Sequence, residues 1–327
     1  MWDFSIGTSF GLVFRTLPFV ALRLIVYLAI SIGFVLGTGI GAGAGWGIGA
    51  AFHADNAVLG ALIGALVGLC VVFGVLWWVR QYILYLVKAG HVAAMDLLLR
   101  GGTLPLGQDQ ISYATTIVRA RFLEVNVLFG VDLLIRGAIH ALVGLVNMLT
   151  FWLPGARSLT QFLDAVMRVV LGLIDEVILA YIIRQGAGDP GASPWGSARD
   201  GLVLYAQNAG MLVKNAIWIA LAEYALAVLI FILVLGPAIG LAYAMPGGWS
   251  GFGVVFALLF AWCLKRALIE PLSIASLLQS YYLAIEGQTP DPDWVARLDA
   301  ASSSFRKLGA KAPHTAPHTA PQPGIVN

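Results

Sequence analysis

From Leu24 to Ala54 the chain carries no formally charged side chain, and from Ala57 to Val79 it runs uncharged again. Each run is long enough to cross a bilayer as a helix, which takes roughly 20 apolar residues. A water-facing surface cannot be built from such segments. The whole chain is 59% hydrophobic and only 11% charged, with a mean hydropathy of +0.86, where an ordinary soluble domain carries roughly 25% charged residues. Lipid offers no partner to an unpaired backbone amide, so long continuous apolar runs must be helices rather than strands. The sequence thus specifies an all-α integral membrane protein whose first partner is the lipid bilayer.

Six spans are expected, at about 24–53, 57–79, 122–149, 159–183, 216–236 and 252–282, within a polytopic membrane domain covering 1–310. No basic region precedes the first apolar run, and the Gly/Ala tract is too long for a cleaved signal, so the first segment is expected to stay. Residues 1–16 suit a helix lying at the interface. Lys and Arg set orientation. Arg80, Lys88, Arg100, Arg119 and Arg121 lie between spans two and three, and Arg184, Arg199 and Lys214 between four and five. Arg297, Arg306, Lys307 and Lys311 follow span six, whereas only Arg157 falls on the other side. Both termini are therefore expected in the cytoplasm of a bacterial-type inner membrane. Residues 311–327 repeat Pro, His and Thr and read as a disordered tail.

Three hairpins form an internal repeat, each followed by a cytoplasmic amphipathic helix. Arg80 to Tyr85, Asp175 to Ala180 and Lys265 to Glu270 occupy equivalent places late in spans two, four and six, and a Gly/Pro turn follows each. The last of these helices should begin at Pro292 behind an Asp291 cap and carry Trp294, Leu298, Phe305 and Leu308 on one face. His91, beside Lys88 and Asp96 on such a helix, is expected to be solvated.

Gly37, Gly41, Gly45 and Gly49 recur at every fourth residue, and Gly60, Gly64 and Gly68 answer them in the second span. Such strips, the pattern of a glycine zipper, let two backbones approach closely. They point to a tight hairpin, with oligomerisation or a glycine-lined path as alternatives. The overlapping Gly45-Trp46-Gly47 is no dinucleotide fingerprint, because no strand precedes it.

The ionisable residues placed in lipid are the other signal. Asp132, Arg136 and His140 share one face of span three, Asp175 and Glu176 lie in span four, Glu223 in span five, and Lys265, Arg266 and Glu270 in span six. Insertion penalises each such charge by about 2.5 to 3.5 kcal/mol, so they should face the bundle interior or a wet cavity. With the repeats around one axis, Arg80, Asp175-Glu176 and Lys265-Arg266 would meet as a polar route or as an ion-pair network.

Nothing marks an enzyme, a cofactor or a metal site. Around Asp132 the chain reads Phe129-Gly130-Val131-Asp132, without the Gly-x-Gly-Asp of intramembrane aspartyl proteases, and no nucleophile elbow or phosphate loop occurs. The net charge of +2 is too small and scattered for nucleic acid. The expected function is a transporter or channel for an ion or small solute. The alternative is a scaffold or assembly factor that binds partner proteins, or a second copy of itself, through its cytoplasmic helices.

Overall fold

The structure, a computed structural model, describes residues 2–104, 109–121, 130–139, 157–244 and 258–312 and, within these, all side chains except those of 76–83, 121, 157–172, 238 and 241–244. Among the described residues every regular element is a helix. In order they are α1 (Ile6–Arg15), α2 (Leu17–Phe52), α3 (Ala57–Leu99), α4 (Asp109–Arg121), α5 (130–139), α6 (Arg157–Gly188), α7 (Pro194–Gln207) and α8 (Ala209–Ala244). Then come α9 (258–264), a π-helical turn (Lys265–Ile269), α10 (Glu270–Ala284), α11 (Pro292–Ala301) and α12 (Ser303–Lys311).

Three helical stretches are long and apolar enough to cross a membrane: Leu17–Phe52, Ala54–Val75 and Ala209–Pro237. At ~1.5 Å per residue α2 alone is about 54 Å long, well beyond a hydrocarbon core of roughly 30 Å. Six spans were expected; most of the third and part of the sixth fall on residues 122–129, 140–149 and 252–257, outside the described residues, while the fourth lies on α6, whose charges keep it out of the three spanning stretches. The second was expected to close at Val79, yet α3 runs unbroken to Leu99, because nothing between Arg80 and Leu99 breaks a helix. It stops at Gly101, whose φ of 77° suits glycine, and Gly102 N–H bonds back to the Leu97 carbonyl at 3.0 Å. Pro237 likewise sits inside α8 rather than ending it.

The chain divides into two compact units. One, here the apolar unit, comprises Val20–Val87 and Leu226–Ile269; the other, the polar unit, comprises Met1–Phe19, Lys88–Ala225 and Glu270–Asn327.

In the apolar unit α2 and α3 run antiparallel and touch through glycine. A Cβ added at Gly41 would collide with the Gly64 carbonyl, one at Gly45 with that of Gly60, and one at Gly68 with that of Gly37. Gly49 is closed off by Asn56 in the same way. Tyr27, Ile30, Leu84, Cys263 and Ala267 form its small core, where Ser31 Oγ and Cys263 Sγ lie 3.0 Å apart. Outward, Leu62, Leu66 and Leu233 are each 64–65% exposed, a surface only lipid can cover.

The polar unit is packed like a soluble core. Every residue from Val177 to Ile183 on α6 is buried. Tyr181, Tyr205 and Tyr281 stack beside them, and the Tyr281 hydroxyl donates to the Gly201 carbonyl at 3.1 Å. Burial pushes the Tyr205 phenol above its usual range. Asn208 and Gln288 exchange amide hydrogen bonds of 2.8 and 3.1 Å. Asp291 caps α11 by accepting from Asp293 N–H. The single helix expected after it is two helices, because Ser302 leaves the helix and its hydroxyl accepts from Phe305 N–H at 3.2 Å. Leu298, Phe305 and Leu308 are nevertheless all buried. Most of the expected disordered tail, 313–327, lies outside the described residues.

Candidate functional site: a buried charge network

The last three turns of α3 and the second half of α6 belong to the polar unit, and their charges are written in opposite order. α3 carries Lys88 and, eight residues on, Asp96; α6 carries Glu176 and, eight residues on, Arg184. Lys88 pairs with Glu176, and Arg184 pairs with Asp96 at 2.7 Å. Both bridges join residues 88 apart. The two helices therefore run in the same direction, with each base opposite an acid.

The first bridge extends into a chain of charges. Lys88 Nζ also reaches Glu270 at 2.6 Å, where the first turn of α10 follows the π-helical turn. Glu176 is joined through its backbone N–H, which donates to Asp175 Oδ1 at 3.1 Å. Asp175 meets Arg136 of α5 at 3.4 Å, and Arg136 Nε meets Asp132 Oδ2 at 3.0 Å. Four carboxylates and two bases are thus linked, and Asp132, Glu176 and Glu270 are buried.

Two atoms in this chain are unusual. Asp132 Oδ1 and Glu176 Oε2 are buried and accept no hydrogen bond from the described residues. A buried carboxylate oxygen without a donor costs roughly 1 to 3 kcal/mol or more, and native structures rarely tolerate one without reason. In both residues the sibling oxygen is held by a base, so the carboxyl is fixed in place with one oxygen left over.

The second bridge is complete. Asp96 lies between Arg184 and Arg100, the latter 3.0 Å away, and the Arg184 guanidinium lies 3.2 Å over the Tyr282 ring. This is a structural knot, with cation–π attraction added to charge pairing.

The remaining expected site residues are spread out. Glu223 is buried on α8 and accepts from Ser273 Oγ at 3.0 Å. Lys265 and Arg266 open the π-helical turn in the apolar unit, with Arg266 6.0 Å above the Trp262 ring. His140 and the Arg80 side chain lie outside the described residues. His91, expected in solvent, is fully buried: its Nε2 is 2.9 Å from Thr16 Oγ1 and its ring stacks on Phe19 at 5.3 Å. The apolar face that buries it also carries Ala89, Val92, Ala93 and Met95, so this helix has no solvated side there.

Four residues that matter were not singled out: Lys88, Asp96, Arg184 and Arg23. The equal spacing and reversed sign of Lys88…Asp96 and Glu176…Arg184 was a usable signal for three of them. Arg23, one residue before the expected first span, lies inside α2 and is only 1% exposed. None of its guanidinium nitrogens has a hydrogen-bond partner among the described residues.

No three acidic, histidine or cysteine side chains among the described residues are gathered closely enough to hold a metal ion. Set against known families, curated proteins and solved structures, the chain matches none.

Proposed function

We propose that this protein is a transporter or channel that passes an ion or small solute along a polar route centred on Asp132, Arg136, Asp175, Glu176, Lys88 and Glu270. Support comes from the two buried carboxylate oxygens that accept no hydrogen bond from the described residues. A network evolved only for packing would satisfy them or replace them with apolar groups at no loss. Ionisable groups kept inside a membrane protein at such cost mark pathways as a rule. The π-helical turn immediately before Glu270 adds to this, because π-turns collect at functional sites.

In this proposal the six expected spans form three hairpins in a bacterial-type inner membrane with both termini cytoplasmic, and the glycine strips hold the first hairpin shut. A scaffold role has one observation in its favour, the fully paired knot around Asp96. Reconstitution in liposomes separates the two. Release of trapped ions, measured for a panel of cations and protons and lost in Glu176→Gln, supports transport. Vesicles as tight as protein-free ones for every ion tested would refute it.

A further inference from the structure

We infer that the ion carried is the proton, that it binds Asp132 Oδ1 and the touching carboxyls of Asp175 and Glu176 in turn, and that the Lys88 ammonium is a tethered cation that keeps other cations out. This rests on the transport role proposed above and names the substrate of the same site.

The geometry of the free oxygens selects among cations. A metal ion needs several oxygen ligands at once, typically six or more for calcium and an octahedron for magnesium. Here one oxygen of each carboxylate is already held, Asp132 Oδ2 by Arg136 at 3.0 Å and Glu176 Oε1 by Lys88. A proton needs only one further oxygen, whereas a metal ion would have to fill its shell with water in a buried site. No tighter grouping of acidic ligands is available among the described residues.

The place where a second carboxylate could join Glu176 to cage a metal is taken. Lys88 Nζ contacts Glu176 and, at 2.6 Å, Glu270, so a monovalent or divalent cation could enter only by evicting a covalently attached charge. A proton needs no eviction. It adds to the Asp175–Glu176 carboxyl pair, converting one carboxylate to a neutral carboxylic acid that donates to the other, while Lys88 stays an ammonium and keeps its contact with Glu270. The converse loss of the proton restores the carboxylate.

The groups that face these oxygens set the response to pH. Glu176 faces Lys88 from α3, Glu270 from α10, Asp175 from its own helix and Asp132 from α5, while Asp132 faces Arg136, Glu176 and Lys88. Three carboxylates thus surround each free oxygen's residue or act on it through these links. Protonation at one relieves repulsion at the rest, so the two sites load in sequence rather than together.

The test is infrared difference spectroscopy of the purified full chain between alkaline and acidic buffer, read at the carbonyl band of protonated carboxylic acids and repeated in deuterium oxide. A band that grows on acidification and shifts with deuterium is expected. Asp132→Asn and Glu176→Gln should each remove a component in deuterium oxide that is distinct from the one lost in Asp299→Asn, a partly exposed carboxyl outside the network. A spectrum with no such band, or one untouched by both substitutions, overturns the proton assignment. The deuterium shift is read on the unsubstituted protein, so it stands even where a variant folds poorly. Liposome flux run in parallel keeps the two ideas apart: the band without proton flux sinks transport but leaves the proton site, and metal-cation flux without the band does the reverse.

Discussion

The apolar and polar units share the helices α2, α3 and α8 and obey different rules. In the apolar unit large side chains point outward, Leu66 at 65% exposure, and glycine faces inward, so backbones touch backbones. In the polar unit large side chains are inside, Tyr181 and Tyr281 at 0%, and charges are held by partners. Lipid is as apolar as leucine, so burying leucine gains nothing there and close packing of small residues drives association. Burial from water drives the second kind of packing, and only there can a network of charges be fixed in place. The contrast puts the buried charge network in the polar unit and the exposed apolar faces in the apolar unit.

The contrast can be broken most severely at Lys88. Lys88→Met leaves Glu176 and Glu270 buried without their shared cation, and thermal unfolding should show a loss of about 3 to 5 kcal/mol. The double variant with Glu176→Gln should recover part of it, since the two residues are in contact. Arg23 tests the opposite sign. A buried guanidinium with no hydrogen-bond partner among the described residues belongs to neither rule, and Arg23→Met should raise stability by about 1 to 4 kcal/mol; a loss of similar size would mean the charge has an unrecognised partner.

Gly41→Val probes the apolar unit, where the added Cβ meets the Gly64 carbonyl. Overpacking should cost about 1 to 3 kcal/mol in detergent unfolding, while the carboxylate network in the polar unit keeps its infrared signature. The smallest effect is expected at Asp3, a third exposed, which Lys214 at 2.6 Å and Asn215 hold below the usual carboxylate range. A carboxylate whose folded pKa is lowered contributes stability above its unfolded value of 3.8 and loses it as pH falls through the folded value. Asp3→Asn should therefore unfold slightly earlier than the parent at neutral pH and together with it in strong acid.

The helical membrane class was legible in the uncharged runs, because no other backbone arrangement survives them. The charged residues Asp132, Arg136, Asp175, Glu176 and Glu270 were also legible, as charges in segments read as lipid-spanning. Their partner was misread. Arg80 was set opposite Asp175-Glu176, whereas Lys88 occupies that place, two helical turns further on. The slip is eight residues, a little over two turns, which leaves Lys88 within about 80° of the Arg80 face, so apolar periodicity separates the two registers poorly, while the reversed charge spacing separates them well. Ending span two at the first arginine also hid the fact that α3 continues into the polar unit. Arg23 escaped notice for the mirror-image reason, since a charge at the edge of an apolar run looks like a border even when the protein closes around it.

Asp132→Asn tests the central claim most directly, with thermal unfolding and liposome proton flux measured on the same preparation. Its carboxylate has one oxygen on Arg136, which is 44% exposed and can turn to water, and one oxygen with no donor. If the network is kept for transport, the variant should unfold at the same temperature as the parent or higher, and its flux should be lost. A variant that unfolds earlier yet carries protons as fast as the parent would contradict the account, and would make the buried charges a device for packing alone.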